Sequence, residues 1–215
     1  MDMSSQREIS SLEGIHMSSL NHDNHDMSYM DIKKKPESER WELIDGVPLL
    51  QAAPSWQHQF ISRELTIALS NYLNGSPCQV FAAPFDVLLS DSDEQDDEVK
   101  TVVQPDLVVV CDSSKLRNSG YRGNPRLVIE IISPSTARAD RLDKMNRYAR
   151  AGVPDYWIVQ PDERTFSQYH LNETGMMELI AVVQEHELFS DSLFPGFIIP
   201  LTKIFPSDAR DTRNR

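Results

Sequence analysis

The chain has 215 residues, of which 40% are hydrophobic, and a formal net charge of -12. This length and content suit one domain with a core of its own. The acidic balance argues against a general nucleic-acid-binding protein, which is normally basic, and no run of about 18 apolar residues could span a membrane. The first thirty residues contain no apolar signal-peptide segment, so we expect an intracellular, cytoplasmic protein. In that compartment, Cys78 and Cys111 are predicted to be buried thiols rather than a disulfide.

Composition divides the chain into three segments. Residues 1–35 are rich in Ser, Asp, Asn, Met and His and show no sustained periodicity, which predicts a disordered extension. Residues 36–206 should form the folded domain. Residues 207–215 should form a flexible tail.

Charge is distributed unevenly along the chain. Residues 91–98 form an acidic run that is typical of a solvated loop. Residues 138–150 carry five basic residues against two acidic ones. Such a locally basic surface is compatible with a phosphate-bearing substrate, even on an acidic protein.

The secondary structure is predicted from hydrophobic periodicity and turn residues. Asp45-Gly46 between two short apolar runs predicts a β-hairpin. Ser55 as the N-cap and Gly75 after the last turn delimit a helix over 56–74. The other predicted elements are strands at 78–90, 101–111 and 126–132, a helix capped by 133–136 that runs to about 151, a strand at 155–160, a hairpin pair at 164–171 and 177–183, and a less regular segment at 184–205. Together they predict a mixed α/β domain.

Two carboxylates interrupt the most hydrophobic of the predicted strands. Asp106 directly follows Pro105, and Glu130 is surrounded by aliphatic residues. An uncompensated buried charge is costly, so each carboxylate should be paired, neutralised or bound to a cation. Two of them on neighbouring strands suggest one hard divalent ion such as Mg²⁺. A metal held by carboxylates in turn suggests phosphate chemistry.

The helix predicted after the Glu130 strand adds a cationic group. Asp140, Lys144 and Tyr148 are spaced i, i+4 and i+8 along one side, beside an apolar stripe that should pack on the sheet. Lys144 should therefore reach over the end of the Glu130 strand. There it could orient or deprotonate a water molecule, or stabilise charge on a phosphate. An exposed salt bridge from Lys144 to Asp140 is the alternative.

Five segments occur together in a family-specific order: WELIDG at 41–46, PDLVVV at 105–110, VIEIISPST at 128–136, DRLDKMNRYARAGVPDYW at 140–157 and FPGF at 194–197. With these segments the chain resembles the Uma family, a bacterial group of restriction-endonuclease-like proteins in the PD-(D/E)XK superfamily. The similarity covers about residues 36–206. It implies an α/β (α+β) fold with a mixed central sheet flanked by helices, and an endonuclease that hydrolyses DNA with Mg²⁺ or Mn²⁺. Restriction-type cleavage often uses dimers, so a homodimer stays open.

The resemblance also implies the site residues. Asp106 matches the Asp of the superfamily motif, Glu130 matches its second acid, and the backbone carbonyl of Ile131 would be a further metal ligand. The lysine of the motif should stand two residues beyond the second acid, where this chain has Ile132. The matching lysine is Lys144, which lies on the following helix.

A second tier of residues is implied less specifically. Glu42 matches the acid before the Asp-Gly hairpin, and His58 matches a histidine of exonuclease-like relatives. Either could bind metal through water or orient a ligand, and a purely structural role is equally open for both. Asp140 joins this tier because it precedes Lys144 by four residues in the matching segment at 140–157.

Two other functions stay open. A catalytically inactive protein could keep the nuclease fold and bind nucleic acid or a protein partner, with Ile132 marking the lost lysine. A carboxylate enzyme such as a glycoside hydrolase would need an open cleft lined by aromatic residues around two acids. Trp41, Trp56 and Trp157 instead lie in segments that we assign to core packing.

Overall fold

A computed structural model of the chain describes residues 26–90, 93–132 and 139–206, leaving aside the side chains of 139–142. The helices in these ranges are α1 (Tyr29–Ile32), α2 (Trp56–Leu73) and α3 (Ala139–Arg150). The strands are β1 (Trp41–Ile44), β2 (Val47–Leu50), β3 (Gln79–Ala82), β4 (Asp86–Leu88), β5 (Val102–Val103), β6 (Leu107–Val110), β7 (Leu116–Arg117), β8 (Gly120–Arg122), β9 (Leu127–Ile131), β10 (Asp155–Gln160), β11 (Thr165–Leu171), β12 (Met177–Gln184), β13 (Leu188–Asp191) and β14 (Phe194–Pro200). Within the described part of the chain, no helix is both long and apolar enough to cross a membrane.

A central sheet of six strands, ordered β12-β11-β10-β9-β6-β3, carries the core. β9 and β10 are parallel, and the other neighbours are antiparallel. One face packs against α2 and the β13–β14 hairpin through residues such as Leu65, Trp157 and Phe189. The alternation of side chains along each strand leaves a second apolar face on the other side of this sheet.

The second six-stranded sheet, ordered β2-β1-β5-β4-β8-β7, covers that other face. Val87 and Val103 of this sheet pack with Val128 and Ile158 of the central sheet, and Tyr148 of α3 joins the same cluster. The architecture is therefore a mixed α+β fold with two mixed sheets and few helices. This confirms the predicted fold class.

The chain bends from one sheet to the other in two places. β3 pairs with β6 in the central sheet, whereas β4 pairs with β5 in the second sheet. The strands predicted at 78–90 and 101–111 were therefore wrong as single strands, because each is two strands in different sheets. Pro105, which has no N–H for a strand ladder, lies at one of these bends and favours the break. Asp106 follows it directly.

Two local predictions are confirmed. β1 and β2 form an antiparallel hairpin around Asp45 and Gly46, both with positive φ (47° and 82°), which is the type I′ conformation that Asp-Gly favours. The Oγ of Ser55 accepts a hydrogen bond from the backbone N–H of His58 at 3.2 Å, so Ser55 is the N-cap of α2.

Cys78 and Cys111 form a disulfide, so the prediction of two buried thiols was wrong. The two residues flank a β3–β6 pair, Gln79 opposite Val110, and antiparallel pairing brings them face to face. They are 33 residues apart in sequence and become neighbours only through this pairing. Disulfides are rare in the reducing cytosol, so this bond lends no support to the expected compartment.

Segments that were predicted to be irregular contain regular structure. α1 lies within the predicted extension, and its Tyr29 is buried and donates a hydrogen bond to Asp86. The predicted irregular closing segment forms the β13–β14 hairpin and a 3₁₀ turn, Leu201–Lys203. Residues 1–25 and 207–215, which include the rest of the predicted extension and the whole predicted tail, lie outside the described residues.

The tryptophan predictions are only partly correct. Trp157 is fully buried in the core, as predicted. Trp56, at the start of α2, is 58% exposed, so its assignment to the core was wrong. The buried residues of α2 are Ile61, Leu65, Leu69 and Leu73, and the helical repeat places Trp56 on the opposite side of the helix, which explains its exposure.

We predict that Leu65→Ala lowers the free energy of unfolding by about 2–5 kcal/mol, because Leu65 is fully buried between α2 and the central sheet. Ile67 lies on the same helix but is 49% exposed, so Ile67→Ala should change stability by only about 0.5 kcal/mol. Urea denaturation followed by circular dichroism measures both variants. Equal losses from the two substitutions would contradict this packing of α2.

Candidate active site

A cleft of about 420 Å³ opens between the start of α2 and the place near Pro105 where the chain bends from one sheet to the other. Residues nominated from the sequence line it: His58, Asp106, Glu130, Ile131 and Lys144. A smaller cavity of about 210 Å³ adjoins it, shares Glu130, Ile131 and Lys144, and is also lined by Glu42. The fold therefore gathers the principal candidates and two of the second tier in one place.

Lys144 is the centre of this arrangement. Its Nζ donates to Glu42 Oε1 at 2.8 Å and to Glu130 Oε1 at 3.0 Å. Glu42 belongs to β1 of the second sheet and Glu130 to β9 of the central sheet, so an amine from α3 joins the two sheets. Asp140, the alternative partner, lies in α3, but its side chain is outside the described residues.

Glu130 is 8% exposed and also accepts a hydrogen bond from the Tyr148 hydroxyl at 2.8 Å. Burial raises the pKa of its carboxyl to about 7. The positive charge of Lys144 opposes that increase, and the negative charges of Asp106 and Glu42 add to it. In the absence of any bound cation, this carboxyl is therefore partly protonated at neutral pH.

The lysine itself stays charged. Burial by itself would lower the pKa of Lys144, but the carboxylates of Glu130 and Glu42 outweigh burial and raise that pKa above its ordinary value. An amine that keeps its proton cannot take one from water. Of the roles considered for Lys144, this favours charge stabilisation over deprotonation.

Glu42 is fully buried and is held by more than the lysine. Its Oε1 also accepts from the backbone N–H of Gln104 at 2.8 Å, and its Oε2 accepts from Gln51 Nε2 at 2.6 Å. Neither glutamine was predicted to take part in the site. Gln104 could have been found, since it lies two residues before Asp106 on the same strand run, but no local pattern marks Gln51.

Asp106 is placed by the pairing of β6 with β9, where Leu107 lies opposite Ile129 and Asp106 therefore lies next to Glu130 across the strands. Its Oδ2 accepts from the backbone N–H of Ile131 at 2.7 Å. Its Oδ1 is 3.0 Å from Nε2 of His58, which the first turn of α2 brings to the cleft. The other ring nitrogen of His58, Nδ1, is buried without a hydrogen-bond partner among the described residues.

Ile132, at the position of the motif lysine, packs against the apolar cluster between the sheets. Its backbone N–H donates to Val159 O at 2.8 Å, which extends the pairing of β9 with β10. This position therefore supplies no cation to the cleft. The positive charge comes from Lys144 instead.

The donor set fits a hard divalent cation, because Asp106, Glu130 and the carbonyl of Ile131 offer oxygen ligands of the kind that Mg²⁺ and Mn²⁺ prefer. A metal site normally has a third ligating side chain close by. Among the described residues, however, Asp106 and Glu130 are not part of a group of three acid or histidine side chains whose ligand atoms all lie within 4.8 Å of one another. Both hydrogen bonds accepted by Glu130 go to Oε1.

The basic side chains that the structure describes on α3 are paired within the protein. Arg147 is buried and donates to Thr101 Oγ1 and to the Leu89 carbonyl. Arg150 donates to Asp45. With Lys144 also paired, the described cations of this helix are neutralised within the protein.

The family model described as "Uma2: Putative restriction endonuclease" matches residues 26–202. The chain belongs to the Uma2 family. The resemblance to the Uma family that the sequence motifs indicated is thereby confirmed. Membership supports a restriction-endonuclease-like nuclease as the general class of protein.

Two individual proteins are similar to this chain. An uncharacterised protein of Synechocystis sp. is 29% identical over 140 residues, which is 65% of this chain and 70% of that protein. A crystal structure described as "a putative nuclease belonging to DUF820" from Anabaena variabilis has a TM-score of 0.65 at 18% identity. The match covers 83% of this chain and 97% of that one, and it shows the shared fold.

We predict that Glu130→Gln flattens the pH dependence of stability in EDTA. The pKa of Glu130 is about 7 in the folded state against an ordinary 4.5, so the folded state binds more protons between these values. The contribution of Glu130 to the free energy of unfolding therefore falls as the pH rises from 4.5 to 7, by up to about 3 kcal/mol. Urea denaturation at several pH values measures this slope for the wild type and the variant.

Glu178→Gln, on the exposed face of β12, is the matched control and should follow the wild-type slope. Parallel slopes for the wild type and Glu130→Gln would contradict the raised pKa of Glu130.

Proposed function

We propose that this protein is a divalent-metal-dependent endonuclease-like phosphodiesterase that hydrolyses DNA phosphodiester bonds. The observation that carries the proposal is the placement of Asp106 and Glu130 on adjacent strands, in one cleft, with the charged amine of Lys144 3.0 Å from Glu130. Two carboxylates that can bind a metal, beside one protonated amine, match the requirements of metal-assisted phosphate hydrolysis.

Asp106, Glu130 and the carbonyl of Ile131 would hold Mg²⁺ or Mn²⁺. When bound, the ion would polarise a phosphoryl oxygen and lower the pKa of a bound water molecule. The hydrogen bond from Ile131 N–H to Asp106 Oδ2 fixes the Asp106 carboxylate at the mouth of the cleft. His58 contacts the other oxygen and so orients the same carboxylate.

Lys144 would stabilise the negative charge that develops on the phosphate in the transition state. Glu42 holds the amine in place, because Glu42 is itself fixed by Gln51 and by the backbone of Gln104. Tyr148 fixes the Glu130 carboxylate from the same helix that carries the lysine. The amine therefore needs little rearrangement when a phosphate arrives.

A DNA substrate must be bound by a protein whose net charge is -12. Arg40 and His58 line the cleft, while the described cations of α3 are already paired. We infer that the metal supplies much of the attraction for the DNA backbone. We also propose a cytoplasmic location, despite the Cys78–Cys111 disulfide, and a homodimer stays open.

We predict that the purified protein nicks supercoiled plasmid DNA with Mn²⁺ or Mg²⁺, and that Asp106→Asn and Glu130→Gln reduce the rate by roughly 100-fold or more. Lys144→Gln should reduce the rate similarly but keep the rise in melting temperature that Mn²⁺ causes, because the lysine is not a ligand. Agarose-gel assays and thermal melting measure the two effects. Glu178→Gln should behave as the wild type.

Equal nicking by the wild type and all variants would indicate a contaminating nuclease and contradict the proposal. Absence of nicking by the wild type, with DNA affinity that does not depend on metal or on Asp106, would instead support the catalytically inactive binding protein.

A further inference from the structure

A second group of metal-ligating side chains lies near the other end of the parallel strands β9 and β10 of the central sheet. Asp155 begins β10, whereas Glu130 lies near the end of the parallel strand β9. His170 on β11 is directly opposite Asp155, and Asp191 ends β13. The Nε2 atom of His170 is 3.4 Å from Asp155 Oδ1 and 3.7 Å from Asp191 Oδ1, and ligand atoms of all three residues lie within 4.8 Å of one another.

The buried Asp155 carboxyl is the group that points to a ligand at this place. It is fully buried, and neither of its oxygens has a hydrogen-bond partner among the described residues. The guanidinium of Arg126 is the neighbouring positive charge, and its hydrogen bond goes to the carbonyl of Leu193 at 3.5 Å. A buried carboxylate with no donor is destabilising, and a cation at this point would remove the penalty.

The other members of the group are held in place. Asp191 Oδ2 accepts from the indole N–H of Trp157 at 2.9 Å, and its Oδ1 accepts from the backbone N–H of Leu193 at 2.6 Å. Gln168 is 3% exposed, and its Nε2 is 2.7 Å from Nε2 of His170. Rotating that amide by half a turn would present its oxygen to the same point instead.

We propose that Asp155, His170 and Asp191 bind a transition-metal cation of the Zn²⁺, Co²⁺ and Mn²⁺ class. An imidazole combined with carboxylate oxygens suits these ions better than Mg²⁺, which prefers oxygen ligands alone. Asp155 and His170 belong to the central sheet and Asp191 to the β13–β14 hairpin. The cation therefore cross-links the hairpin to the sheet, separately from the cleft at the other end of β9 and β10.

A proton is the competing occupant. Burial and the neighbouring Asp191 raise the pKa of Asp155 to about 10, so without a cation this carboxyl keeps its proton. A protonated Asp155 would satisfy the group without any metal. The experiment must therefore detect the metal itself.

The test uses the full chain with the other metal-binding groups removed by substitution: Asp106→Asn and Glu130→Gln in the cleft, and His16→Gln, His22→Gln and His25→Gln near the start of the chain. In this background we expect one Co²⁺ per chain by equilibrium dialysis, a visible Co²⁺ absorption band, and a rise in melting temperature. Adding His170→Gln should weaken Co²⁺ binding at least about tenfold and abolish the band. Adding His186→Gln should change neither the Co²⁺ affinity nor the band, because His186 is exposed on the turn before β13.

Asp155→Asn is the second test variant, because it preserves the shape of the side chain if His170→Gln fails to fold. It should also lose the Co²⁺ band while remaining folded in EDTA. A background protein that binds no Co²⁺, or one whose binding is unchanged by both substitutions, would overturn the proposal and assign the group to the proton.

Discussion

The site depends on one interaction, the pairing of the buried Lys144 amine with both Glu42 and Glu130. Each of the two carboxylates comes from a different sheet, so the lysine fixes the distance between the sheets at the cleft. Removing one partner of a buried ion pair typically costs 3–5 kcal/mol, because the remaining charge is left uncompensated. This constraint also sets the position of α3, whose Tyr148 and Arg147 reach into the space between the sheets.

The bend of the chain between the sheets brings the remaining groups to the same place. Gln104 and Asp106 flank Pro105, where the chain leaves the second sheet and enters the central one. Gln104 contacts Glu42 through its backbone and Asp86 through its side chain, and Asp106 meets His58 and the backbone of Ile131. Because Pro105 interrupts both ladders, the polar groups can face the cleft without breaking a sheet.

Three residues of the site could be predicted from the sequence for clear physical reasons. A single charge within an aliphatic run needs compensation, and that rule identified Asp106 and Glu130. Helical spacing placed Lys144 at the border of a buried face. These residues do line one cleft. Their catalytic roles stay a prediction.

The rest depends on contacts between distant parts of the chain, which spacing does not reveal. The pairing of β3 with β6 creates the disulfide, and the pairing of β10 with β11 sets Asp155 opposite His170. Gln51 is an exception, because it meets Glu42 through the predicted β1–β2 hairpin, in which Leu49 lies opposite Glu42. The ion pairs and hydrogen bonds of the basic helix were not predicted for the same reason, since the partners of Arg147 and Arg150 lie about 50 to 100 residues away in sequence.

The most direct test of the central claim is the location of Mn²⁺ by anomalous diffraction from crystals grown with that ion. We expect an anomalous peak in the cleft, contacted by the carboxylates of Asp106 and Glu130, with the Lys144 amine still bound to Glu42. A cleft that stays without an anomalous peak, with the Lys144 amine bridging Glu42 and Glu130 unchanged, would contradict it.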